Sequence, residues 1–160
     1  MRSMVALVLV IAVGCGTPAP TTTPVAACDP TLPNGDAPPG EEAAPSFFGN
    51  GRLYTTGLWD DGIIRADPRF VAADGSIDMK FAWWRAPGVG APGDLQIVGH
   101  ESSTNAAIVA TVLDGCGQPF QATGITFPAE GCYEITARSG DSKLTFVVRV
   151  VKVSAPAPGA

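Results

Sequence analysis

The chain has 160 residues, 46% of them hydrophobic and 16% charged, and a net charge of −5. Its 19 glycines and 15 prolines are about twice the usual combined share. That content of helix breakers excludes a long helical bundle or coiled coil, and the apolar content excludes a disordered acidic chain. Because the charge balance is acidic and no basic cluster occurs, we expect no nucleic-acid partner.

Residues 1–14 have the pattern of a signal peptide. Arg2 precedes an apolar run at 5–13, which is roughly half of the about 20 residues that a transmembrane helix needs. The run ends in A-V-G-C, which resembles the lipobox of bacterial lipoproteins. The resemblance implies that Cys15 is lipidated after cleavage at Gly14, and that the protein is anchored in the cell membrane outside the cytoplasm. The alternative is an ordinary secretory signal with an incidental cysteine.

Residues 15–46 are rich in proline, alanine and threonine and are predicted to form an extended tether. Val25 and Leu32 are the only large aliphatic residues between Cys15 and residue 47, so this segment cannot form a core of its own. A folded domain is expected at 47–154, followed by a disordered tail at 155–160.

Turn dipeptides such as Asn50-Gly51 and Asp74-Gly75 divide the domain into short β-rich segments. We predict eight strands, near 52–58, 62–66, 76–84, 94–99, 106–113, 121–127, 132–138 and 143–153. In the third strand Ile77, Phe81 and Trp83 fall on one face, as in a half-buried antiparallel strand. The last strand is apolar on both faces and should be central or covered on both sides. This pattern predicts an immunoglobulin-like antiparallel β-sandwich, with a small β-barrel as the alternative.

Two blocks carry a further resemblance, K-F-A-W-W-R at 80–85 and F-P-A-E-G-C-Y-E at 127–134. They are similar to blocks in a group of uncharacterised bacterial lipoproteins and secreted proteins with a single immunoglobulin-like domain. That group implies no activity that could be carried over. Tyr133 stands where the group usually has Trp, a conservative change for a core aromatic.

Three cysteines remain after Cys15, so one disulfide and one free thiol are the simplest inventory. Spacing favours a bridge between Cys116 and Cys132, whose loop closure would contribute about 3 kcal/mol. The resemblance implies Cys28–Cys132 instead, and strand alternation places Cys132 on the outward face, where a wrapping segment could reach it. With that bridge, only residues 16–27 would swing freely.

His100 is the single histidine and stands beside Glu101 and Ser102, which suggests a hydrolase site. Adjacent residues in a turn point in different directions, and there is no G-x-S-x-G motif around the serines, so we predict a polar turn and no catalytic residue. Asp60-Asp61 and Asp74-Gly75-Ser76 could supply oxygen ligands for calcium, but an EF-hand pattern is missing and turn residues are the simpler interpretation. We expect no metal and no cofactor.

Trp84 and Arg85 form the main candidate binding surface, together with His100. If Trp83 points inward, Trp84 must point outward, where it could stack a sugar ring or anchor a protein partner. The alternative is that Trp84 packs under the loop at 87–92, with Arg85 lying over it as a cation–π lid.

The sequence therefore predicts a lipid-anchored envelope protein with a monomeric, non-catalytic β-sandwich that binds an envelope protein or glycan or has a structural role. The alternatives are a protease-inhibitor-like module, using the loops at 50–52 or 88–93, and a hydrolase with a site near His100.

Overall fold

The computed structural model describes residues 28–57, 61–91, 94–113 and 119–154. Within these ranges the protein is all-β except for a single turn of 3-10 helix at Pro68–Phe70. No helix in the described ranges is long and apolar enough to cross a membrane. The strands, in chain order, are β1 (Phe48–Gly49), β2 (Leu53–Thr56), β3 (Ile63–Ala66), β4 (Ile77–Arg85), β5 (Gln96–Glu101), β6 (Val109–Val112), β7 (Phe120–Phe127), β8 (Gly131–Ser139) and β9 (Ser142–Lys152).

The strands form two sheets that pack face to face. Sheet A has the order β1-β2-β4-β7-β6, and sheet B has the order β3-β9-β8-β5. Neighbouring strands are antiparallel except β3 and β9, which are parallel. The sheets do not close into a barrel, so the predicted β-sandwich is confirmed and the small-barrel alternative is wrong. All eight predicted strands are present. Strand β1 was not predicted, because two residues are too few to show an alternating pattern.

The core lies between the inner faces of the two sheets. In β4, Ile77, Phe81 and Trp83 are buried, while the alternate residues Asp78 and Lys80 are exposed, as predicted. Trp83 donates its indole N–H to the Thr123 hydroxyl at 3.0 Å, so the one polar atom of this large side chain is satisfied inside the core. Burial of these aromatic surfaces is the main favourable term in the folding of the domain.

Strand β9 occupies the centre of sheet B, between β3 and β8, as its two apolar faces predict. Its Phe146 ring lies 6.0 Å from Trp83 and 6.4 Å from Phe81, so it joins the two sheets through aromatic contacts. On the outer face, Val147 is half-buried because an N-terminal segment crosses it.

That segment, residues 28–36, is called the N-terminal strap below. A disulfide joins Cys28 to Cys132 in β8, which is the bridge that the resemblance implied. Thr31 then adds to β9: its N–H donates to the Val147 carbonyl at 2.8 Å, and its hydroxyl accepts from the Val147 N–H at 2.9 Å. Further along, Asn34 donates to the Gly49 carbonyl at 2.8 Å. The strap therefore links sheet B to sheet A around one side of the sandwich.

Gly62 allows the strap to lie close to the main chain that leads into β3. Its φ is +68°, and a Cβ atom there would stand 2.8 Å from the Thr31 carbonyl oxygen. A larger residue would therefore be strained and would push the strap away. Contacts of the described domain begin at Cys28, whereas the sequence predicts the domain boundary at residue 47. Residues 1–27, including Cys15, lie outside the described residues, as does the predicted tail at 155–160.

We predict that Cys28→Ala lowers the free energy of unfolding by about 4 kcal/mol, because the bridge closes a loop with a sequence separation of 104 residues. Urea denaturation of the oxidised protein measures this loss. Cys116→Ala is the matched control, since Cys116 lies outside the described residues and belongs to the alternative bridge. A larger loss for Cys116→Ala than for Cys28→Ala would show that the alternative bridge forms in solution.

Candidate functional site

A pocket of about 520 Å³ opens at the end of the sandwich where the strap begins. It lies beside the Cys28–Cys132 disulfide, between the turn that follows β5 and the turn that precedes β8. Both turns contribute polar groups, and their residues line it: Cys28, Glu101, Ser102, Ser103, Thr104, Ala106, Pro128, Ala129, Glu130, Gly131, Cys132, Tyr133 and Arg149.

Glu101 organises one wall of this pocket. Its Oε2 accepts hydrogen bonds from the Ser103 N–H and hydroxyl at 2.9 and 2.7 Å, and from the Thr104 N–H and hydroxyl at 2.6 and 2.8 Å. The hydrogen bonds from Ser103 and Thr104 outweigh the opposing effect of desolvation and lower the pKa of Glu101 to about 2. The carboxylate is therefore ionised at neutral pH and is committed to holding the turn closed.

Tyr133 holds the opposite turn. The ring is fully buried against Phe127, with the ring centres 4.9 Å apart, and the hydroxyl donates to the Ala129 carbonyl at 2.8 Å. Burial raises the pKa of Tyr133 above its ordinary value. A tyrosine hydroxyl that bonds back to the main chain a few residues upstream is a feature of immunoglobulin-like sandwiches. The turn at 128–130 is therefore fastened to a buried side chain of the core.

Two charged side chains stand at the rim. Glu130 is exposed, and its Oε1 accepts the Lys152 N–H at 2.7 Å. Arg149 is exposed on β9, directly across from Cys132, and it makes no ion pair with any residue that the structure describes. With the hydroxyls of Ser102 and Ser103, the pocket offers hydrogen-bond donors and acceptors to a polar ligand.

The structure separates the three residues of the suggested hydrolase site. His100 and Glu101 are adjacent in β5, so their side chains point to opposite faces: His100 is exposed on the outer face of sheet B, and Glu101 is buried. Ser102 is held by its N–H, which donates to the Cys132 carbonyl at 2.7 Å. The nearest acidic neighbour of His100 across the sheet is the exposed Glu134.

The structure corrects the prediction that Trp84 and Arg85 form one exposed binding surface. Arg85 is only 4% exposed, because it falls on the inner face with Trp83, and its Nη1 donates to the Ala91 carbonyl at 2.5 Å. Trp84 does face outward, but it is half-buried between Phe47 and Phe120, with ring centres 5.5 and 5.2 Å away. The two side chains therefore do not form one exposed surface, and Arg85 is not a lid over Trp84.

The loops suggested for protease inhibition are fastened to the domain. Asn50 donates to the Lys143 carbonyl at 2.8 Å, and Arg52 forms an ion pair with Asp141 at 2.6 Å. In the other loop Val89 is buried, and Gly90 lies against the β8–β9 turn. Gly93 lies outside the described residues.

The suggested calcium ligands have other partners. Asp74 accepts from the Ser76 N–H and hydroxyl, and Asp61 forms an ion pair with Arg65 at 2.6 Å. Asp60 lies outside the described residues. No cluster of three or more His, Cys, Asp or Glu side chains that could hold a metal occurs in the described ranges.

Sequence reasoning did not find the pocket. Its residues come from segments that are far apart in the chain, and the sequence signals are indirect: Glu101 precedes two serines and a threonine, and Glu130 lies in the block before Cys132.

A comparison with models of known protein families finds no match to this chain, and a comparison with curated proteins finds none either.

We predict that Glu101→Gln destabilises the domain by about 2 kcal/mol at pH 7, because a neutral amide replaces a charged acceptor of four hydrogen bonds. Since folding lowers the pKa of Glu101 from 4.5 to about 2, its stabilisation is complete above about pH 5 and is lost as the pH falls through that interval. Thermal denaturation across pH 2–7 should show the difference between variant and wild type shrinking in acid.

The control for this titration is Asp61→Asn. The pKa of Asp61 is also lowered to about 2, by its hydrogen bonds with Arg65, but the side chain is exposed. This variant should therefore change stability much less. Equal losses for the two variants, or a Glu101→Gln loss that persists at pH 2, would contradict a structural role of the Glu101 carboxylate.

We predict that Trp84→Ala lowers the free energy of unfolding by about 2 kcal/mol, since it removes a half-buried indole from between Phe47 and Phe120. Trp84→Phe should retain most of the stability. Chemical denaturation compares the three proteins. An unchanged midpoint for Trp84→Ala would return Trp84 to the role of an exposed binding residue.

Proposed function

We propose that this protein is a lipid-anchored component of the cell envelope whose β-sandwich serves binding or a structural role without catalysis. In this proposal the lipid on Cys15 holds the chain in the membrane, residues 16–27 connect Cys15 to the domain, and the domain faces the outside of the cytoplasm.

The Cys28–Cys132 disulfide is the observation that carries this proposal. Structural disulfides form and persist in oxidising compartments and are rare in the cytoplasm. A domain closed by such a bridge is therefore consistent with the signal and the lipobox-like A-V-G-C pattern that precede it. The resemblance to bacterial lipoproteins with a single immunoglobulin-like domain points in the same direction.

The chemistry of the pocket supports binding over catalysis. A general acid or base needs an available proton acceptor or donor with a pKa near the working pH. Glu101 is held ionised with a pKa of about 2, its Oε2 accepts four hydrogen bonds, and His100 lies on another face of the sheet. Among the described residues no observation favours the hydrolase or the inhibitor alternative.

The position of the pocket supports a ligand from the envelope. It lies beside Cys28, where the tether meets the domain. Its lining includes Arg149, which forms no ion pair among the described residues, the exposed Glu130 and two serine hydroxyls. Such a mixed polar rim suits hydrogen bonding to an envelope glycan or to a polar segment of an envelope protein.

We predict that Cys15→Ser moves the protein from the membrane pellet to the soluble fraction, because a serine cannot carry the thioether-linked lipid. Fractionation of cells expressing the full chain, followed by immunoblotting, measures this. Cys116→Ser is the matched control and should stay in the pellet. Membrane retention of Cys15→Ser after an alkaline wash would overturn the lipid anchor.

A further inference from the structure

The four lateral edges of the two sheets differ in how they are covered. The β1 edge of sheet A is lined by the strap, where the Gly35 N–H donates to the Phe47 carbonyl at 2.9 Å. The β5 edge of sheet B is met by the chain that leads into β6: the Ile108 N–H donates to the Gly99 carbonyl at 3.1 Å. The β3 edge is four residues long and carries Arg65, which is paired with Asp61. Short length and charge are common protections of an edge.

The edge formed by β6 is as short as β3, at four residues, but among the described residues no charged side chain and no covering segment protects it. The stretch Val109-Ala110-Thr111-Val112-Leu113 contains no charge, proline or glycine. Val109 is 65% exposed and Leu113 46% exposed, and both project on the outer face of sheet A. An uncharged, β-branched edge of this kind is a template for pairing with another strand.

The free main-chain groups of β6 can be identified. The Leu113 N–H donates to the Ala122 carbonyl in β7, so by antiparallel alternation Val109 and Thr111 also direct their N–H and C=O groups toward β7. Ile108 bonds in the opposite direction, to Gly99. The groups that face outward are therefore those of Ala110 and Val112, and among the residues that the structure describes they have no main-chain partner.

We propose that this edge pairs with a second copy of the chain, β6 against β6, antiparallel about a two-fold axis through Thr111. In this register the N–H and C=O of Ala110 bond to the partner's Val112, and symmetry repeats the pair, so all four outward groups on each strand are satisfied. A register centred on Ala110 would place Val112 opposite Ile108, whose N–H is already donated to Gly99.

The side chains agree with the same register. Val109 stands opposite the partner's Leu113, twice by symmetry, and Thr111 stands opposite Thr111. Apolar and Thr–Thr pairs across antiparallel strands are favourable, and the absence of charge means that no like charges are brought together. This self-complementarity favours a second copy over an unrelated extended peptide. The two five-stranded sheets A would become one continuous ten-stranded sheet.

A dimer departs from the monomeric state that the sequence predicts, although each chain completes its own core. Pairing at the β6 edge requires neither the membrane anchor nor the pocket.

Analytical ultracentrifugation of the purified full chain in detergent tests the proposal by measuring the mass of the sedimenting protein. We expect the wild type at micromolar concentration to sediment with twice the monomer mass. Thr111→Lys and Thr111→Glu should each weaken the dimer at least tenfold, because the axis brings two like charges together, while exposed β6 should tolerate either residue. An equimolar mixture of the two variants should restore a 1:1 dimer, which a folding defect could not produce.

Disulfide trapping in intact cells tests the register. In a Cys116→Ser background, Thr111→Cys should give a covalent dimer on a non-reducing gel, since a residue on the axis faces its own copy within disulfide range. Val98→Cys is the matched control: Val98 is 61% exposed on β5, away from β6, and should give no dimer. A monomeric wild type, equal trapping at both positions, or trapping of Thr111→Cys only to a different protein would overturn the proposal.

Discussion

The bond between Cys28 and Cys132 is the constraint on which the arrangement of this domain depends. It fastens the beginning of the strap to β8, and from there Thr31 is in place to pair with Val147 of β9. Through Asn34 the strap reaches Gly49 and covers the β1 edge. One covalent bond therefore shields part of the outer face of sheet B, joins the two sheets on one side, and forms a wall of the pocket.

The direction of side chains along β5 decides what the pocket can do. Successive residues of a strand point to opposite faces, so the histidine and the carboxylate that are neighbours in sequence cannot act together. Glu101 turns inward and accepts hydrogen bonds from the hydroxyls of Ser103 and Thr104, while His100 is exposed to solvent. The same rule separates Trp84 from Arg85 in β4. Adjacent residues were the natural candidates in the sequence, and strand geometry separates both pairs.

Alternation explains how much of the fold was predictable. In β4 and β8 apolar and polar residues alternate clearly, so their positions and inner faces, with Trp83 and Tyr133 buried, agree with the structure. Alternation does not say what covers an outer face or an edge. The strap contains too few apolar residues to predict its packing, and β1 is too short to show a period. Arg85 is buried because it has the same parity as Trp83, and its guanidinium donates to the Ala91 carbonyl.

The sequence by itself determined the β-sandwich class, the strand boundaries within a few residues, and the inner faces, because each depends on local turn residues and on a two-residue period. The tertiary structure decided the pocket, the roles of Glu101 and Arg85, the packing of Trp84 and the open edge at β6. These depend on which distant segments meet: Gly62 with the strap, Glu101 with the β8 strand, and Trp84 with Phe47. Such encounters are set by the packing of whole sheets and by one disulfide, and no local pattern in the chain encodes them.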